Sequence, residues 1–331
     1  MSIRVGVNGF GRIGRLVVRA ARRRGMKDVE FVAVNDLTDA KTLAHLFRFD
    51  SVHGVWDEAV AAEGDSLTIG DTKIRVLKEK DPTKLAWKDL GVDVVLECTG
   101  LFTDRDSAAV HLKQGARVVC VSAPTKGADA TFVLGVNEKV YEKGKHQVVS
   151  IGSCTTNSLA PPLKVLADTF GIERGTLTTI HAYTNDQRIL DLPHKDLRRA
   201  RAAAMSLIPT STGAAKAIGL VLPELVGKMD GVAIRVPIPC GSISDITCVL
   251  AKPADKAAVN GALEAAAKGP LKGILEYCTD PVVSADIVGN PHSAIVDAEL
   301  TNAQDRLVKV FSWYDNEWGF SNRLLEALRL L

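Results

Sequence analysis

The stretch Ile3-Arg4-Val5-Gly6-Val7-Asn8-Gly9-Phe10-Gly11-Arg12-Ile13-Gly14 decides the fold. Ile3 to Val7 reads as a strand that runs into a G-x-G-x-x-G turn, and the amphipathic run behind it predicts a helix over Arg12 to Arg24, closed by Gly25. Each glycine has its own task. Gly9 allows the tight turn, Gly11 lets backbone approach a pyrophosphate, and Gly14 lets the helix pack on the strand while its N-terminal amides face the phosphates. A second strand, Val29 to Asn35, ends at Asp36, whose carboxylate accepts hydrogen bonds from ribose hydroxyls and repels a 2′-phosphate. Asn8, Gly9, Phe10, Gly11, Arg12, Ile13, Gly14 and Asp36 are therefore the candidate dinucleotide residues, with NAD favoured over NADP. Arg22-Arg23-Arg24 reads as a solvated helix C-terminus that complements the helix dipole.

Working outward, short apolar runs alternate with helical ones: strands at Asp93 to Thr99 and Arg117 to Ser122, with a helix between them capped from Thr103 and ending near Gly115. Leu67 to Val76 predicts a hairpin that turns at Gly70-Asp71. Beyond Cys154 the pattern changes. Long strands at Thr176 to Tyr183, Gly231 to Pro237, Ile243 to Leu250 and Leu307 to Tyr314, with a helix over Ala254 to Lys268, suit an antiparallel sheet. The predicted fold class is α/β: a Rossmann-type doubly wound parallel sheet plus an α+β catalytic domain with a mostly antiparallel sheet. The predicted division is residues 1–152 and 153–316, with a C-terminal helix over 317–331 packing back on the first domain.

Composition excludes other classes. The 331 residues carry 41 basic and 39 acidic side chains, a net charge of +2 that gives no reason to expect nucleic acid or an anionic membrane as partner. Cys98, Cys120, Cys154, Cys240, Cys248 and Cys278 lack paired spacing or histidine-rich neighbours, so neither a disulfide framework nor a metal site is indicated. A chain that enters a strand by Ile3, without an apolar leader or membrane-length run, is expected to be soluble, unprocessed and cytoplasmic.

The second informative stretch is Ser153-Cys154-Thr155-Thr156-Asn157, followed by His181-Ala182-Tyr183-Thr184. A cysteine where a β-rich run meets a helical one, together with an imidazole, has the components of an activated thiol: a helix N-terminus and a base that stabilise the thiolate. A nucleophilic cysteine and a dinucleotide site in one chain suggest oxidation through a covalent thioester.

With these residues in place, the chain resembles the phosphorylating glyceraldehyde-3-phosphate dehydrogenase family from residue 3 to about 328. Further motifs carry the resemblance: Asn35-Asp36-Leu37, Ser122-Ala123-Pro124, Asn185-Asp186-Gln187, Ser211-Thr212-Gly213-Ala214-Ala215-Lys216, Arg235-Val236-Pro237 and Trp313-Tyr314-Asp315-Asn316-Glu317. The resemblance implies Cys154 as nucleophile, His181 as base, Ser122 and Asn316 as further cofactor residues, and Asn316 as the holder of the nicotinamide carboxamide. It implies a site for the phosphate of glyceraldehyde 3-phosphate at Thr184 and Arg235. A second site, for inorganic phosphate, is implied at Ser153, Thr155, Thr212 and Gly213. It also implies a homotetramer in which the segment from about Tyr183 to Met205 lines a neighbouring subunit's cofactor site. Leu192-Pro193 resembles the NAD-using form. Ile151-Gly152, Ser158, Ile238, Cys240-Gly241 and Phe320 depart from the family's usual residues. Erythrose-4-phosphate dehydrogenase, and a non-catalytic NAD-binding interaction protein, are the competing readings.

Overall fold

A computed structural model describes residues 2–331. They form two compact units: the chain to Phe132 with Lys139–Gly152 and Ser321–Leu331, and Val133–Glu138 with Ser153–Phe320.

The first unit is built on a nine-stranded sheet in the order Ala130–Thr131, Val148–Ser150, Val118–Val121, Val94–Glu97, Ile3–Asn8, Val29–Asn35, Thr72–Leu77, Ser66–Ile69, Val60–Glu63. Its central strands are parallel, and Val94–Glu97 and Val118–Val121 are buried at every residue. Their continuous apolar character follows from being covered on both faces. The hairpin predicted around Gly70-Asp71 is present, but it is not an insertion beside the sheet. Its second strand pairs in parallel with Val29–Asn35 and extends the sheet antiparallel at that edge. The helix expected to start from Thr103 is capped instead by Asp104, whose Oδ1 accepts the Ser107 amide at 3.0 Å, and it breaks into Arg105–Ala108 and Val110–Lys113. A carboxylate reaching the N3 amide is among the strongest helix caps. Thr103 lies outside, its carbonyl taking the Lys126 amide. The last helix, Trp318–Ala327, ends earlier than predicted, and within the first unit Arg24 pairs with Glu326 and Arg329 with Asp28.

The second unit holds a seven-stranded sheet in the order Ile208–Ser211, Met229–Val236, Ile172–Ala182, Ser242–Leu250, Leu307–Tyr314, Ala294–Gln304, Leu275–Cys278. Two of its pairings are parallel, Ile172–Ala182 with Met229–Val236 and Leu275–Cys278 with Ala294–Gln304; the rest are antiparallel. Helices Cys154–Phe170, Ala214–Val221 and Lys256–Lys268 share one core with this sheet, through Leu159, Leu163, Ile218, Leu263, Ile246 and Val310.

The helix Cys154–Phe170 carries Pro161 and Pro162 in its interior. Pro162 has no N–H for the Ser158 carbonyl four residues back. That carbonyl instead accepts the Ser312 hydroxyl at 3.1 Å, and Ser158 Oγ returns a hydrogen bond to Ser312 Oγ at 3.0 Å. Ser312 thus satisfies the ladder where proline interrupts it, and the hydroxyl of Ser158, one of the departures, bonds Ser312 in turn.

Candidate active site

The glycine-rich turn shapes a cleft of about 370 Å³ at the ends of the first unit's parallel strands, with Asn8, Gly9, Gly11, Asp36, Thr99 and Phe102 among its walls. Gly9 has φ +91°, and a Cβ there would lie 2.6 Å from the Thr99 amide nitrogen. Only glycine fits that approach. Space beside Gly11 is open, as an incoming pyrophosphate requires. Asp36 Oδ2 accepts the Phe10 amide at 2.9 Å, which locks the carboxylate against the turn while Oδ1 makes only a long 3.4 Å contact to Thr38 N. The residues present therefore fit a dinucleotide: open backbone for phosphates and an anchored acceptor for ribose hydroxyls.

The sequence-predicted residues divide by role in this cleft. Phe10 contributes its backbone, since its ring is fully buried and stacks on Phe47 at 6.2 Å. Arg12 is held by Asp50 at 3.1 Å. Ser122 sits on the adjacent strand end, its amide bonded to the Glu97 carbonyl. The Asn8 side chain is turned inward, into a polar network that the sequence did not disclose. Its Nδ2 donates to Glu97 Oε2 at 2.6 Å and its Oδ1 accepts from Asn35 at 2.7 Å. Trp87 Nε1 donates to His111 Nδ1 at 3.1 Å, which leaves the ring hydrogen on Nε2, 3.0 Å from Glu97 Oε2. Glu97 Oε1 takes the Thr99 amide at 2.8 Å. The network ties the Gly9 turn and the Thr99 loop to one buried carboxylate.

In the second unit, Cys154 is the first residue of its helix, capped by Ser153, whose Oγ accepts the Thr156 amide at 3.1 Å. Strand Ile172–Ala182 brings His181 to it, Nε2 lying 3.4 Å from Sγ. His181 Nδ1 lies 2.6 Å from the Ala182 carbonyl and 3.0 Å from Arg235 Nη1; the shorter contact, to an acceptor, assigns the hydrogen to Nδ1 and the lone pair to Nε2, facing the thiol. The ring packs edge-on against Tyr314, whose hydroxyl joins Thr155 and Thr179 at 3.0 and 2.7 Å. Parallel pairing sets Arg235 opposite His181, and its Nη1 reaches the Ala182 carbonyl at 3.1 Å and Thr184 Oγ1 at 3.5 Å. Arg235 Nε is buried without a hydrogen-bond partner among the described residues.

Burial pushes the Cys154 thiol up, opposed by the Arg235 charge, and lowers the His181 imidazole to about 3, with Arg235 and Arg199 adding to the effect. Each group alone is therefore costly to charge. A proton passed from Sγ to Nε2 changes no net charge, so the two groups can ionise only as a pair, across 3.4 Å. The permanent charge acting on the thiol is that of Arg235 rather than the imidazole.

Thr212 and Gly213 lie on a separate turn, before helix Ala214–Val221. Thr212 Oγ1 accepts the Ala214 amide at 3.1 Å, and space beside Gly213 is open. Arg199, a residue the sequence reading passed over, fastens this turn. It bonds Thr210 Oγ1 at 2.9 Å, the Ser211 carbonyl at 3.2 Å and Asp186 at 2.5 Å. No motif flags it, because its partners are separated in sequence.

Two departures have structural reasons. Cys240 donates its S–H to Asp315 Oδ1 at 3.1 Å, and Gly241, at φ +85°, leaves no room for a Cβ, which would lie 2.3 Å from the Ser284 carbonyl oxygen.

A dinucleotide cleft on a doubly wound sheet, in a chain that also sets a thiol against an imidazole, defines the class: an NAD-linked oxidoreductase. Residues 3–105 match the glyceraldehyde 3-phosphate dehydrogenase NAD binding domain, and residues 153–316 match the glyceraldehyde 3-phosphate dehydrogenase C-terminal domain. The chain is 58% identical over 337 residues to glyceraldehyde-3-phosphate dehydrogenase of Mycolicibacterium smegmatis, covering 100% of this chain and 99% of that protein. It is 56% identical over 327 residues to the Geobacillus stearothermophilus protein of that name, covering 98% and 97%. It is 53% identical over 331 residues to glyceraldehyde-3-phosphate dehydrogenase 1 of Streptomyces avermitilis, covering 100% and 99%. The chain belongs to the glyceraldehyde-3-phosphate dehydrogenase family.

Proposed function

We propose that this chain oxidises glyceraldehyde 3-phosphate with NAD and inorganic phosphate to 1,3-bisphosphoglycerate, the glycolytic and gluconeogenic reaction, through a thioester on Cys154. The 3.4 Å contact between Cys154 Sγ and the His181 Nε2 lone pair carries this reading. Cys154 adds to the aldehyde carbon. His181 takes the thiol proton, gives it to the oxygen of the forming hemithioacetal, and takes it back as the hydride departs. NAD, when bound, supplies the hydride acceptor. Phosphate then attacks the acyl carbon and the thiol leaves. Thr184 and Arg235 hold the substrate phosphate, a role that suits a half-buried arginine with an unpartnered Nε. Ser153, Thr155, Thr212 and Gly213 receive the attacking phosphate. Asn8 to Gly14, Asp36, Ser122 and Asn316 serve NAD.

The working units are an NAD-binding domain over 1–152 to which 317–331 returns, and a catalytic domain over 153–316; the two compact units support this division. The assembly is a homotetramer. Exposed Ile189, Leu197 and Met205, which are 85%, 81% and 80% accessible on the segment after Tyr183, support a partner there. The setting is cytoplasmic, which six free thiols support. No helix among the described residues is long and apolar enough to cross a membrane.

Mixing enzyme, NAD and glyceraldehyde 3-phosphate should release about one NADH per active subunit and then slow, until phosphate or arsenate restores turnover. Hydride departure needs only thiolate, base and cofactor, whereas turnover needs a nucleophile held at the acyl carbon. Fast steady turnover without phosphate would move the assignment to erythrose-4-phosphate dehydrogenase. No NADH at all would move it to a non-catalytic NAD-binding protein.

A further inference from the structure

Ser242, the first residue of strand Ser242–Leu250, is fully buried, and its hydroxyl makes two hydrogen bonds. Its Oγ accepts the Ala182 amide at 3.1 Å and lies 3.0 Å from Asn316 Oδ1. The Ala182 N–H can only donate. The single hydroxyl hydrogen of Ser242 is therefore free to go to Asn316, whose Oδ1 is the atom that faces it. The Asn316 NH₂ is thus directed away from Ser242, presenting donors only.

The backbone beside Asn316 has little freedom. Asp315 Oδ1 takes the amides of Glu317 and Trp318 at 2.8 and 2.7 Å, and Oδ2 takes the Gly289 amide at 2.7 Å. What remains free is the terminal flip of the Asn316 amide, which Ser242 settles. The same serine takes the amide of Ala182, the residue whose carbonyl meets His181 Nδ1 and Arg235 Nη1.

We propose that Ser242 is a positioning residue: it orients the Asn316 amide so that its NH₂ donates to the carbonyl oxygen of the nicotinamide carboxamide, and it registers that contact against Ala182, whose own carbonyl aims the His181 ring. The proposal rests on the reading that Asn316 meets the nicotinamide. A primary carboxamide offers both a carbonyl acceptor and NH₂ donors, so an amide that flips freely would meet it donor to donor half the time. A fixed NH₂ selects one face of the ring.

The test compares binding of NAD with binding of ADP-ribose, which has every phosphate and ribose contact but no nicotinamide. Titrations of the purified full-length protein, followed by tryptophan fluorescence, would use wild type, Ser242→Ala, Asn316→Ala and the double variant. Ser242→Ala should weaken NAD about 10-fold, the scale of one lost hydrogen bond to a buried acceptor, and leave ADP-ribose within about 2-fold. The double variant should lose little beyond Asn316→Ala, because the serine acts through the asparagine. Equal losses for NAD and ADP-ribose in Ser242→Ala would make the serine a structural residue only and overturn the proposal, as would unchanged NAD affinity. If Asn316→Ala leaves the ratio of NAD to ADP-ribose affinity unchanged, the reading of Asn316 itself fails and the proposal falls with it. Should the alanine variant not fold, Ser242→Cys, close in volume and a weaker donor, is read by the same ratio.

Discussion

Replacing His181 by Asn removes the partner that lets Cys154 ionise inside the protein. The Coulomb gain between thiolate and imidazolium across 3.4 Å is about 5 kcal/mol at an effective dielectric of about 20. At 1.36 kcal/mol per unit that corresponds to about 3.5 pKa units. Desolvating the imidazolium, the effect that lowers His181, takes part of it back, leaving a rise of about 2 to 3 units in the Cys154 pKa. At neutral pH the thiolate population then falls about 10²- to 10³-fold. A more basic thiolate is also the better nucleophile, with a Brønsted coefficient of about 0.4–0.5, so about half of the loss on a logarithmic scale is recovered. The expected result is alkylation by iodoacetamide about 10- to 50-fold slower at pH 7, approaching the wild-type rate as the pH rises past the thiol's new midpoint. Iodoacetamide is the right reagent because it is neutral and not drawn by Arg235. Rates of enzyme inactivation from pH 5 to 10 for wild type and His181→Asn give both profiles. Superimposable profiles would refute the reasoning and show that Arg235 and the helix N-terminus alone set the thiol's state.

Three further outcomes follow from the first unit. Burial pushes the Asp50 carboxyl up, but the His53 and Val52 amides and Arg12 outweigh it and hold the group at about 2. The folded value is depressed, so its stabilisation is present above the ordinary carboxylate range and disappears as pH falls toward 2. Asp50→Asn should cost about 2 kcal/mol at pH 7 and about half of that at pH 3, read by urea unfolding at both pH values. Gly9→Ala puts a Cβ 2.6 Å from the Thr99 nitrogen at φ +91°; it should lower the melting temperature and weaken NAD at least 10-fold, and wild-type binding by calorimetry would contradict the proposed contact. Asp36→Ala should narrow the ratio of kcat/KM for NAD over NADP by weakening the first and relieving the second, whereas an unchanged ratio would remove Asp36 from the ribose.

Much of the scaffold was legible because its signals are local. A strand followed by G-x-G-x-x-G and an acidic residue announces a dinucleotide cleft, since each glycine answers a constraint of neighbouring backbone. The hairpin at Gly70-Asp71 and the strand Leu307–Tyr314 were readable from turn chemistry and period-two alternation. Thr103 was misjudged as a cap because Asp104 beside it competes for the same amide. Strands Ile208–Ser211, Leu275–Cys278 and Ala294–Gln304 escaped the reading, and so did the parallel pairing of two strand pairs, because short or irregular strands are defined by neighbours remote in sequence.

The sequence by itself determined the residue types needed for the chemistry: a cysteine ready to start a helix, a histidine in a strand, an arginine in Arg235-Val236-Pro237, and an aspartate after the second strand. Only the tertiary structure decided how they act. Parallel pairing of Ile172–Ala182 with Met229–Val236 makes Arg235 the fixed charge beside His181. The Ala182 carbonyl chooses the histidine tautomer, and Ser242 chooses the face of Asn316. Glu97 and His111, buried beneath the cleft, hold Asn8 away from solvent, and Arg199 fastens a turn formed by residues after Thr210. These are hydrogen bonds and charges whose strength depends on a few tenths of an ångström and on exclusion of water, and both arise only when distant segments pack.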